Sequence, residues 1–485
     1  MKRKLIIIVL FVLFFLSCRD NDSDGNSYGK RNFWASDITD NSLYRLEARL
    51  LAQNARCEVW VENGCGVDAA TAQDVANEYS NFVYPAIMNA FGWHDNNYDV
   101  MRYADLLGDE NGKLIILLLD IRDGYTEGNG YVAGYFDPIN FFNVSTSLSQ
   151  GKRSNECDMI YLDTNPSEVG SREFYETLAH EMQHMMNFVT SFLFITNNKR
   201  QGYMDTWIDE GLSSAAEWVY SGEQNKNRIG WFNTDETGLI SRGDNFFLWD
   251  NNEDVPNAVL NDYSTVYLFF QWLRIQNDIS IYGKILISKY SDHQAVVAAS
   301  VYNSWDSLLQ TWLAANYIRS PTDKFGYGSY STFNNIKRHY APANSANIIT
   351  LKPGEGVYSP NVTTPSPTGG SNINYAFIYD NKVSETYVLN STLLTYNSST
   401  NIKGSGENGY ITGNPPPSSA NISSGPSISG PYKVGAGDLL SRRGIDRDVS
   451  KNISSMINID SGQARANTGK SLPFTGEGIT RYMGD

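Results

Sequence analysis

The chain has 485 residues, 41% hydrophobic and 19% charged, with a formal net charge of -15. That length supports a large core and more than one domain. The acidic balance argues against nucleic acid as a partner, because phosphate backbones require clustered Lys and Arg.

At the start, Lys2, Arg3 and Lys4 precede an unbroken apolar run of twelve residues, Leu5 to Leu16. Such a run is too short to cross a bilayer as a helix and fits the core of an export signal. It ends in Phe15-Leu16-Ser17-Cys18, which resembles a bacterial lipobox with Cys18 as the lipidated residue, although Phe15 stands where Leu is preferred. The expectation is a lipoprotein of the bacterial cell envelope, held on the bilayer by an N-terminal lipid anchor and facing the periplasm or exterior. A Cys18 left unlipidated gives a secreted protein instead. Acyl chains on Cys18 supply more than one hydrocarbon anchor, which is the condition for stable attachment. The aspartates Asp20, Asp22 and Asp24 mimic the opening of a calcium loop, but Arg31 stands at its twelfth position where Glu is needed. A flexible polar tether is the better reading.

Residues 41 to 91 read as mostly helical, with Leu43, Leu46, Leu50 and Leu51, then Val75, Tyr79, Phe82 and Val83, at helical spacing. Cys57 and Cys65 bracket a short segment and suit a small disulfide loop in an oxidising compartment, leaving Cys157 over. Lys113 to Asp120 is a buried-strand signal, and Met159 to Asp163 a second, weaker one. Between them, Gly128 to Asn140 is rich in Gly and Tyr, as in an edge strand or loop beside a groove. From Ser171, a plausible N-cap, the period turns helical through Phe174, Leu178, Met182, Met185 and Val189. A polar break at 197–202 precedes a helix starting near Thr206, and Tyr263 to Ile275 is a third, aromatic-rich helix. Further helical packing is expected over Val296 to Val301 and Trp305 to Ile318. Beyond about residue 345 no Trp, His or Cys occurs, and Gly, Ser, Thr, Asn and Pro surround short strand-like pieces such as Tyr375 to Tyr379.

The chemistry concentrates in His180-Glu181-Met182-Gln183-His184. Two histidines at i and i+4 share one helix face and can reach one ion, while Glu181 lies about 100° around the helix and can address a bound water. A catalytic zinc ion takes three protein ligands and keeps a position open. Glu210, in Trp207-Ile208-Asp209-Glu210-Gly211-Leu212, follows His184 by twenty-six positions, enough for a chain reversal and a return helix. Glu217, two turns further on, is the alternative third ligand or an outer carboxylate orienting an imidazole. Asp209 and Asp205 also suit the start of a helix dipole. A hydroxyl is wanted to stabilise an oxyanion, and Tyr263 and Tyr267 are the candidates, although aromatic-rich helices are more often core. The bland alternative is a helix with two chance histidines. Titratable groups amid Leu178, Ala179, Met182, Met185 and Met186 would then be buried at a cost that a metal removes.

Three segments, Met159 to Asp163, Tyr175 to Asn187 and Trp207 to Leu212, together resemble the hyicolysin-like metallopeptidases of the gluzincin group. Asp262 to Phe270 looks like the helix that follows in such enzymes. The likeness extends over roughly residues 30 to 320. It implies His180, His184 and Glu210 as zinc ligands, Glu181 as the catalytic base, and Glu210 rather than Glu217 as third ligand, through Asp209-Glu210-Gly211. The expected fold is α+β: a thermolysin-like core of a small mixed sheet plus the HExxH helix, then a helical lobe, followed by a β-rich C-terminal region. In this scheme 1–17 is signal peptide, 18–30 tether and 31–345 the catalytic domain, with its mixed lobe ending near 190. Residues 346–485 form a small β-rich domain or partly ordered tail. The expected activity is that of a monomeric zinc endopeptidase acting on polypeptides. Competing readings are an adhesin-like surface lipoprotein that retains a metal site, and a zinc hydrolase of non-peptide amides.

Overall fold

The computed structural model describes residues 29–340 except 128–129, 150, 244–245, 248, 250–254 and 256, together with 355–362, 373–379, 382–384, 391–397 and 479–482. Cys18, the export signal, nearly all of the tether and most of the C-terminal region lie outside the described residues.

The first half builds six strands of a seven-stranded mixed sheet. Strands β1 (Lys30–Ser36), β2 (Leu43–Gln53) and β3 (Cys57–Glu62) form an antiparallel meander. Helix α1 (Ala69–Glu78) runs through a π-turn at Tyr79–Val83 into α2 (Tyr84–Phe91). A two-residue ribbon, β4 (His94–Asp95) and β5 (Tyr98–Asp99), leads to α3 (Val100–Leu107). Strand β6 (Leu114–Leu119) pairs parallel with β3 and with β8 (Met159–Asp163). Strand β7 (Tyr131–Tyr135) pairs antiparallel with β8, and a short helix α4 (Val144–Ser149) lies between them in the chain. Every residue of β6 is buried, as a central parallel strand requires. Its side chains alternate, with Leu114, Ile116 and Leu118 in the larger core under the helices. Ile115, Leu117 and Leu119 join Phe33, Trp60 and Tyr161 on the opposite face.

Two expectations for this half are overturned. The leucines of 43–51 lie on strand β2, not on a helix. Leu46 and Leu50 pack on one face of the sheet and Leu51 on the other. A β-bulge between Leu50 and Ala52 breaks the two-residue alternation, and the resulting spacing imitates a helical one. Cys57 and Cys65 are free thiols rather than a disulfide. Strand β3 separates them, and at roughly 3.3 Å per residue it carries the second beyond the roughly 7 Å Cα limit of a disulfide. Cys157 is buried, with its sulfur 3.5 Å from that of Met159.

The second half is helical. Helix α5 (Arg172–Thr196) starts where Ser171 caps it by accepting the Phe174 N–H at 3.1 Å. It lies under β7 and β8 and packs against α6 (Thr206–Ser221). Helices α7 (Lys226–Thr234), α8 (Val259–Asn277), α9 (Ser280–Leu286), α10 (His293–Ala299) and α11 (Trp305–Ile318) complete the lobe. At its centre Trp207 of α6 meets Phe246, Phe247, Phe269 and Trp305 edge-on, with ring centres 5.1 to 6.1 Å apart. Gly211 lets α6 and α8 approach, since a Cβ there would sit 2.2 Å from the Phe270 ring. Among the described residues no helix is long and apolar enough to cross a membrane. Near the C-terminus, β9 (Gly356–Val362), β10 (Ile373–Tyr379), β11 (Lys382–Ser384) and β12 (Ser391–Asn397) form a separate antiparallel sheet in the order β11-β10-β12-β9. Strand β13 (Ile479–Tyr482) pairs with the edge of β7.

Candidate metal centre

Helix α5 carries His180, Glu181 and His184 into the interface with α6, where Glu210 faces them. His180, Glu181 and Glu210 are fully buried and His184 is 2% exposed. The ligand atoms of His180, His184 and Glu210 all lie within 4.8 Å of one another. Glu210 Oε2 stands 3.5 Å from His180 Nε2 and 3.6 Å from His184 Nε2. These separations are too long for good hydrogen bonds, and both Nε2 atoms and both Glu210 oxygens lack hydrogen-bond partners. Four orphaned polar atoms in a dry interface would be costly by themselves. Ligands about 2.1 Å from a tetrahedral zinc ion stand roughly 3.4 Å apart, so an ion between these atoms satisfies them together. The set of two nitrogens and a carboxylate is geometrically consistent with a catalytic zinc site.

The electrostatics point to the same place. Burial favours the neutral form of Glu210, but the two imidazoles override it and pull its pKa down to about 2. Burial disfavours imidazolium at His180, yet Glu210 and Glu217 outweigh it and the net shift is upward. His184 is driven well above its ordinary value against the same burial penalty, by Asp209 and Glu210. Positive charge is therefore stabilised where the three groups converge, which is where a cation would sit.

Each histidine is oriented from behind. His180 Nδ1 lies 2.8 Å from Glu217 Oε1, and His184 Nδ1 lies 3.0 Å from Asp209 Oδ1. The hydrogen bond to Glu217 fixes the tautomer of His180, leaving its Nε2 lone pair for an ion, whereas His184 and Asp209 meet as an ion pair without hydrogen-bond geometry. Glu217 is held in turn by Arg228, whose Nη2 donates to Oε1 at 2.5 Å. Asn187 Nδ2 donates to Asp209 Oδ1 at 2.5 Å. Asp209 therefore serves His184 as well as the start of α6. Its place beside Glu210 was the available sequence signal, whereas nothing in the sequence pointed to Arg228, eleven positions beyond Glu217 on another helix.

Over 254 residues the chain is 30% identical to the neutral metalloprotease ShpI of Staphylococcus hyicus. The match covers 51% of this chain and 52% of that protein, so the chain spans about half the length of this relative. No family model matches the sequence. A sheet over the metal helix, followed by a helical lobe that returns the glutamate, is a thermolysin-like arrangement.

A small depression of about 40 Å³ lies beside His184 and Asp209, walled by Phe136, Phe188, Tyr203 and Met204. Phe136 follows directly on β7, within the segment expected beside a groove. The Tyr203 ring stacks on Phe188 at 5.5 Å, and this phenol was not singled out from the sequence. The two tyrosines that were singled out sit elsewhere around the centre. Tyr267 is fully buried; its hydroxyl donates to Gln224 Oε1 at 2.6 Å and accepts the Asn225 N–H at 2.8 Å. That donor is committed to the turn after α6. Tyr263 packs its ring 4.9 Å from the Arg228 guanidinium and edge-on to Trp249 at 4.8 Å.

Proposed function

We propose that the protein is a zinc-dependent endopeptidase that hydrolyses polypeptides. The observation that carries this reading is the convergence of His180, His184 and Glu210 on one cation-sized point, with Glu181 one residue from the first ligand. His180, His184 and Glu210 would hold a zinc ion, which would lower the pKa of a bound water and polarise a substrate carbonyl. Glu181 accepts the proton of the attacking water and returns it to the departing amine. Glu217, hydrogen-bonded to Nδ1, keeps the Nε2 atom of His180 turned to the ligand cluster, and Asp209 stands beside Nδ1 of His184. The similarity to ShpI, a neutral metalloprotease, supports the same activity here. On this reading residues 31–345 make the catalytic domain, the chain acts as a monomer, and the β-rich region follows it.

The decisive experiment measures bound zinc and casein hydrolysis for the purified protein beside Glu181→Gln. Retained zinc with hydrolysis reduced by about 10²- to 10⁴-fold is expected; equal hydrolysis by both proteins would overturn the assignment. We further infer that Cys18 carries the lipid anchor in a bacterial envelope. The basic start, the short apolar run and the lipobox-like Phe15 to Cys18 support this. A Cys18→Ser precursor should take up no lipid label, and full labelling would refute it.

A further inference from the structure

We infer that Arg228 is a positioning residue of the metal centre, fixing His180 through Glu217 and thereby setting zinc affinity. The inference rests on the reading of the centre as a zinc site and not on the peptidase activity.

Arg228 comes from α7, a helix that supplies no ligand, yet its side chain is only 7% exposed. It grips Glu217 with both edges of its fork, Nη2 to Oε1 at 2.5 Å and Nε to Oε2 at 3.3 Å. Asn225 Nδ2 adds a third donor to Oε2 at 3.1 Å. The guanidinium is itself braced by the Tyr263 ring. Oε1, held by Arg228, is the oxygen that faces His180 Nδ1 at 2.8 Å. Without the fork the Glu217 carboxylate loses two of its contacts and can rotate away from His180. That rotation removes the acceptor from Nδ1 and releases the ring angle of His180.

The two histidines are not supported alike. Asp209, behind His184, is 17% exposed on its side chain, and among the described residues no Lys or Arg pairs with it. Its neutral partner Asn187 orients it without supplying charge. The His180 arm is thus the stiff one, and Arg228 makes it so.

The test is a chelator competition on the full chain that reads the zinc dissociation constant for wild type, Arg228→Gln, Arg228→Lys and Glu217→Gln, with melting curves of each metal-free protein. Arg228→Gln should weaken zinc by about 10- to 100-fold, the usual consequence of losing an outer-shell partner. Arg228→Lys keeps the charge without the fork and should fall between Gln and wild type. Adding Glu217→Gln to Arg228→Gln should cost nothing further, because both act through one Nδ1 contact. A folded Arg228→Gln protein with wild-type affinity would overturn the inference, as would additive losses in the double variant. Should Arg228→Gln not fold, wild-type affinity in Arg228→Lys overturns it equally. Absence of zinc binding by the wild-type chain would instead overturn the zinc reading itself.

Discussion

One turn before His180 on the same helix, Glu176 is 5% exposed and stands near the charge of Glu217. Burial first, and that neighbouring charge second, raise its pKa from 4.5 to about 7, against the partial relief of Arg172 at 3.5 Å. A carboxyl raised on folding binds its proton more tightly in the native state. Its ionisation therefore costs stability progressively as pH climbs from its unfolded value toward the folded one. The metal-free protein should lose melting temperature between about pH 4.5 and pH 7 through this group, and Glu176→Gln should flatten that decline. Parallel melting curves for the two metal-free proteins across the range would show that Glu176 is not the group responsible. The depressed carboxyls behave oppositely. Glu210 and Glu217, held at about 2, support the native state above the ordinary carboxylate range, and that support fades as pH falls toward 2. Among the ligands, Glu210→Ala should abolish tight zinc binding while leaving α6 intact, since Ala is the better helix former. Equilibrium dialysis with zinc would show it, and full binding would return the third-ligand role to Glu217.

Between elements, the closest constraint on the centre is the contact of α6 with α8. Gly211 follows Glu210 directly, and a Cβ there meets three atoms of the Phe270 ring at 2.2 to 2.7 Å. Gly211→Ala must push the helices apart or force Phe270 from its rotamer, at a cost of about 1 to 3 kcal/mol. Because the displaced helix carries Glu210, the same change should weaken zinc as well as lower the melting temperature. Unchanged zinc affinity would mean that α8 absorbs the shift. This contact also marks a boundary of what the sequence discloses. The α5 register, its Ser171 cap and the paired histidines were legible because helical periodicity and spacing are local properties. The central strand at Leu114–Leu119 was legible because a strand buried on both faces is apolar throughout. Strand β2 was misread because one bulge spoils a two-residue period. The Cys57–Cys65 pairing failed because closeness in sequence says nothing about the extended strand between them. Glu210 came from a short motif, but Arg228 and Tyr203 reach the centre only through tertiary packing, and no local pattern records it.

Across the whole molecule, the centre lies on the seam between two bodies of structure. His180 and His184 belong to α5, which is packed under the sheet, whereas Glu210 belongs to α6, whose other main neighbour is α8 of the helical lobe, with a smaller contact to α2. An ion bound by both helices is therefore a cross-link between the sheet-bearing half and the lobe. Without it, the interface keeps both Nε2 atoms and both Glu210 oxygens buried and unsatisfied. A ligand that binds only the native state stabilises it by RT ln(1 + [L]/Kd), about 4 kcal/mol when zinc is a thousandfold above its dissociation constant. Chelation should therefore lower the melting temperature by several degrees, and restored zinc should recover it. The control is Glu210→Gln, which keeps the shape of the interface but loses the anionic ligand. If the stabilisation comes from the bridge, chelator should leave the melting temperature of this variant nearly unchanged. A drop as large as in wild type would place the stabilising metal somewhere other than the α5–α6 seam. The location also links stability to catalysis, because the same seam borders the depression at His184. Substitutions that loosen the lobe from the sheet should reduce zinc affinity before they unfold either half, and paired dialysis and melting measurements on Gly211→Ala would reveal that order.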